Sequence, residues 1–114
     1  MERSQIMGYI LDSFPYPIVF VDCNHSIQYL NYAAKEFYYH KRGYGNLEGK
    51  SLFDCHNDLS REKIEIAIEK LKNHSDEIYI GVNVRNQRYY LNPVRDENGE
   101  LLGYFERFEM NLQK

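Results

Sequence analysis

Tryptophan is absent from the 114 residues, cysteine occurs twice and proline three times, and the longest apolar run is the four residues 18–21. A membrane span needs about 20 consecutive apolar residues and a secretory leader needs an apolar block near its start, so neither is expected, least of all in MERSQIMGYILDSFP. Cys23 and Cys55 stand far apart with no Cys-x-x-Cys spacing, which excludes a disulfide framework and a zinc ribbon and fits a reducing, cytoplasmic setting. Charge of one sign is equally scarce. Fourteen basic against seventeen acidic residues give a net charge of -3, so nothing electrostatic draws the chain to nucleic acid or to an anionic membrane.

What is present suffices for one packed core. The hydrophobic share is 43% and the aromatic share 15%, including eleven tyrosines, in a chain of one domain's length. Residues 2–14 carry Ile6, Met7, Ile10, Leu11 and Phe14 at helical intervals, and Pro15 and Pro17 close that helix. Residues 18–21 and 27–30 read as a hairpin around Asp22-Cys23-Asn24-His25, and Asn31 caps a short helix to about His40, broken by Gly43 and Gly45. One helical turn is expected over 50–56, then a helix over about 61–73 with Ile64, Ala67, Ile68 and Leu71 inward.

The period then changes to two. Ile78, Ile80, Val82 and Val84 share a strand face, and a tight turn at Asn86-Gln87 predicts pairing of 84 with 89 and of 82 with 91. Tyr89 and Leu91 then join the valines. Asn98-Gly99 turns the chain into a last strand over about 101–110, whose apolar parity is Leu102, Tyr104, Glu106, Phe108 and Met110.

Glu106 breaks that pattern. An unpaired carboxylate between two aromatic rings on a core face would cost several kcal/mol. Either it reaches solvent or pairs with Arg88 or Arg107, or it lines a polar spot in an internal cavity and contacts a ligand. His56 reads as a surface histidine, a pocket donor or a metal ligand. Cys23, His25, Cys55 and His56 match no standard zinc spacing.

The phrases ILDSFPYPIVFVD, IQYLNYAAKEF, GKSLFDCHND and PVRDENGELLGYFE, in that order over about residues 9–111, make the chain resemble a PAS domain, of a subtype with Cys-His before the long helix. The resemblance implies an α+β fold, a five-stranded antiparallel sheet with helices on one face, as a single domain over 1–114. Its parts would be an N-terminal helix over 1–14, covering the outer face or pairing two subunits, and a core over 15–111. It implies a sensory module rather than an enzyme, with a small internal cavity. Pocket-facing positions of the family fall on Val19, Val21, Tyr89, Leu91, Tyr104, Glu106 and Phe108, and His56 joins them as a candidate.

Flavin-photoreceptor members carry Asn-Cys-Arg where this chain has Asp54-Cys55-His56, which argues against light chemistry. Haem sensors place a histidine in the long helix, where Arg61, Glu62 and Lys63 stand, so haem would depend on His56 with Met110 or Cys55. A small organic ligand is favoured: a carboxylate, an amine or an aromatic metabolite. The expected partners are that ligand, a second copy through the N-terminal helix, and a signalling protein. Two alternatives are a ligand-free dimerisation module and a small isomerase-like enzyme with Glu106 or Asp54 as general base. No output domain is legible in these residues.

Overall fold

The structure, a computed structural model, describes residues 1–55, 58–73, 76–83 and 85–110. Helix α1 spans Arg3–Asp12, and the Gln5 side chain accepts from the Glu2 N–H at its start. Strands β1 (Val19–Asp22) and β2 (Ile27–Leu30) form the expected hairpin. Asp22 organises the turn by accepting from the N–H groups of Asn24 at 2.9 Å and Ser26 at 3.0 Å, while His25 takes a left-handed conformation with φ 64°.

Asn31 is fully buried and saturates its hydrogen-bonding capacity. Its Oδ1 accepts from Ala34 N–H at 3.0 Å, capping helix α2 (Tyr32–Lys35), and from Ile18 N–H at 2.9 Å. Its Nδ2 donates to the carbonyls of Leu11 and Tyr16. One side chain thus ties the end of α1, the entry of β1 and the start of α2.

From Glu36 to Lys41 the helix continues as a π-helix, wider by one residue per turn, with Arg42 N–H bonded back to the Phe37 carbonyl. A loop and a 3-10 turn (Leu52–Cys55) lead to helix α3 (Asp58–Lys72), which starts about three residues before its expected position. Ile64, Ala67, Ile68 and Leu71 are its buried stripe, as the spacing predicts.

Strands β3 (Ile78–Val82), β4 (Gln87–Arg95) and β5 (Leu101–Met110) complete a five-stranded antiparallel sheet of order β2-β1-β5-β4-β3. The β3–β4 register differs from the two-residue turn of the sequence reading: Leu91 faces Ile78, and Val82 faces Arg88. The connection is longer because Asn83 Oδ1 accepts from the N–H groups of Arg85 and Gln87, with Asn86 left-handed at φ 59°. A bulge between Tyr79 and Gly81 reverses the parity beyond it, so Val82 is exposed instead of inward. Val84, the other residue of that expectation, lies outside the described residues.

A second bulge, between Val94 and Arg95, does the same to β5. Leu102, expected inward, is 48% exposed, and Leu101 packs on the core in its place. From Tyr104 to Phe108 the alternation holds, with Leu91 opposite Glu106 and Tyr89 opposite Phe108. The inner face carries Val19, Val21, Leu91 and Tyr104 against α3 and the segment around α2. Burial of each large aliphatic side chain there contributes about 1.5–3 kcal/mol. The outer face carries Phe20, Tyr29, Phe105 and Arg107, which with Leu11 and Phe14 line an apolar groove of about 480 Å³. The stripe of α1 finds no cover within the chain: Ile6, Met7, Ile10 and Phe14 are all exposed.

Candidate functional site

Two adjoining cavities open along the inner face, and Glu106 lines both. The inner chamber, about 100 Å³, is walled by Val19, Ile27, Leu30, Leu47 and Leu52, with Tyr38, Tyr44, Arg42 and Glu106 as its polar lining. The outer cleft, about 230 Å³, shares Tyr38, Arg42 and Glu106 with it and adds Phe37, Asn83, Arg85, Gln87, Tyr89 and Phe108.

Each wall follows from local structure. The β5 zigzag turns Glu106 inward, flanked by Tyr104 and Phe108 two residues away on each side. The π-helix delivers Phe37 and Tyr38 and ends at Arg42, whose guanidinium stacks on Tyr44 at 5.1 Å and faces Phe37 at 5.9 Å. The β3–β4 connection brings Arg85 to the same Phe37 ring, 4.2 Å from its centroid. Two guanidinium groups from distant segments therefore converge on one phenyl ring at the mouth.

Glu106 shapes the electrostatics. Burial raises the hydroxyl pKa of Tyr104 and of Tyr89 above the ordinary 10, and the nearby charge of Glu106 raises both further. The two arginines offered as structural partners for Glu106 are engaged with other carboxylates: Arg88 meets Glu109 at 2.7 Å, and Arg107 meets Glu77 at 2.7 Å and Glu109 at 2.9 Å.

Of the candidates from the sequence, Val19 and Glu106 line the chamber, and Tyr89, Glu106 and Phe108 line the cleft. Val21, Leu91 and Tyr104 are fully buried in the sheet's packed core and line neither cavity. His56 and the Cys55 side chain lie outside the described residues. His25 engages Tyr104 and packs on Phe53 at 4.8 Å, and no cluster of metal-binding side chains occurs among the described residues. Sequence reasoning missed Phe37, Tyr38, Arg42, Tyr44 and Arg85. The aromatic-basic run Phe37-Tyr38-Tyr39-His40-Lys41-Arg42 was the available signal.

The sequence pattern of the PAS domain family matches residues 7–109, so the chain belongs to that family. PAS domains are sensory and regulatory modules rather than enzymes as a class. No curated protein matches the sequence. Solved structures share its fold. A C-terminal domain from Streptococcus mutans superposes with TM-score 0.76 at 20% identity, over 94% of this chain and 84% of that one. A sensory box sensor histidine kinase from Vibrio cholerae gives 0.65 at 14% identity, over 94% and 90%. The Aer2 receptor from Vibrio cholerae, a dual PAS-haem oxygen sensor, gives 0.59 at 22% identity, over 81% and 90%. Among the described residues no helix is long and apolar enough to cross a membrane.

Proposed function

We propose that this PAS domain is a soluble cytoplasmic sensor that takes a small organic molecule into the inner chamber and signals occupancy through its sheet and α1. The observation that carries this reading is Glu106: an acid on the apolar inner face of the sheet, at the junction of an enclosed chamber and a cleft open to solvent. Binding sites place few polar groups among many apolar ones, and this site has that composition. Pockets for drug-sized ligands run to roughly 300–1,000 Å³. The 100 Å³ chamber calls for something smaller.

The described residues do not fit haem. The chamber is too small, and Met110, offered as a second ligand, is exposed at the far end of β5. Ligand binding can bias the domain by no more than its differential affinity for two states, commonly about 1–3 kcal/mol.

Native mass spectrometry and an absorption spectrum of the purified chain test the reading. A retained small mass that is lost in Glu106→Gln, with an unchanged melting temperature and no Soret band, is the expected result. A chain that retains nothing and binds nothing in the cleft would sink it. The exposed apolar stripe of α1 supports a second role, pairing of two copies through that helix.

A further inference from the structure

Resting on that reading, we infer that the chamber and cleft select an amphoteric molecule, one carrying a carboxylate and a protonated amine a few bonds apart, with an α-amino acid as the simplest member. The guanidinium groups of Arg42 and Arg85 meet at Phe37 from segments more than forty residues apart in sequence. Among the described residues no carboxylate pairs with either of them. Two cations brought to one ring repel each other, and an anion placed between them relieves that repulsion. A carboxylate suits the planar fork of arginine better than other small anions of similar charge because it accepts two parallel N–H bonds.

The opposite requirement comes from Glu106. It faces Arg42 across the chamber, so a ligand that places its carboxylate at Arg42 has its next few atoms within reach of an acidic side chain. An ammonium group there is attracted, and a second carboxylate is repelled. Tyr38 and Tyr44 add hydroxyls and ring faces to the same wall, and both suit a cation.

Volume narrows the class further. A water molecule needs about 10–15 Å³ of such space, so the chamber takes roughly seven non-hydrogen atoms. That is the size of an amino-acid head group with a short stem. A longer side chain would extend into the cleft between Phe37, Tyr89 and Phe108.

The test is a titration of the isotope-labelled chain with each of the common L-α-amino acids at millimolar concentration, followed by amide resonances. At least one should shift Arg42, Arg85 and Glu106 while leaving Phe20 and Phe105 on the outer face unmoved. Its deaminated and its decarboxylated analogue should each bind at least tenfold more weakly. Arg42→Gln should remove the preference for the amino acid over the amine, and Glu106→Gln the preference over the acid. The melting temperature serves as the control for folding. If no amino acid shifts these residues, or if one single-charge analogue binds as well as the parent, the amphoteric assignment is wrong. The sensor reading then survives only if native mass spectrometry still finds a retained mass that depends on Glu106. If nothing is retained either, both fall.

Discussion

Nδ1 of His25 lies 3.2 Å from the hydroxyl of Tyr104, so a turn residue in the left-handed region is tied to the most deeply buried tyrosine of the sheet. Burial holds the imidazole below its ordinary pKa of 6.5, with the positive charges of Lys72 and Arg61 acting in the same direction and those of Glu65 and Asp22 against it. The native state therefore prefers the neutral ring.

On acidification through 6.5 the unfolded chain takes up a proton before the folded one does. The stability due to the neutral ring is complete above that range and declines as pH falls, until the native ring also protonates. Urea unfolding between about pH 7.5 and 5.5 should show this decline. His25→Asn, which tolerates the left-handed backbone, should flatten the slope. An equal slope in both proteins would remove His25 as its source.

Asn31 should be among the least replaceable side chains. Loss of its four hydrogen bonds strands two N–H groups and two carbonyls and removes a helix cap, which costs about 3 kcal/mol. Asn31→Asp should do no better than Asn31→Ala, because a carboxylate would face the carbonyls of Leu11 and Tyr16 where an amide now donates. Denaturant midpoints of the two variants decide the matter, and a loss below about 0.5 kcal/mol would contradict the account.

Gly103 is required by contact. A Cβ there would meet the Phe20 ring at 2.8 Å and press on the Val21 carbonyl. Gly103→Ala should cost about 1–3 kcal/mol by overpacking, and Gly103→Ala with Phe20→Leu should recover part of it. A melting curve unchanged by the first substitution would show that β1 yields freely.

The exposed stripe of α1 makes a prediction about assembly. Ile10, 61% exposed, should lie in a contact between two copies, and Ile10→Asp should shift sedimentation toward the monomer without loss of folded signal. A wild-type chain that sediments as a monomer at high concentration would remove this role.

The five strands, the capping role of Asn31 and the inward turn of Glu106 were legible because alternation and turn chemistry are local properties. Leu102 and Val82 were misplaced for one reason. Each lies beyond a bulge, and a single extra residue exchanges the two faces of everything after it. The bulges have no distinct signature in the sequence. Arg42 and Arg85 escaped notice because their meeting at Phe37 depends on tertiary placement of two loops, which no window of sequence contains.

The broad helical segment from Glu36 to Lys41 makes the site sensitive to chain length. Taking one residue out of it would tighten the coil to ordinary pitch and swing the following side chain by about 100° about the axis. Arg42 would then be carried off the tyrosine it rests on and out of line with the acid across the chamber. The spacing of this stretch, more than the identity of any one of its members, governs whether the two charges confront each other, and a deletion there should silence recognition in a domain that still folds.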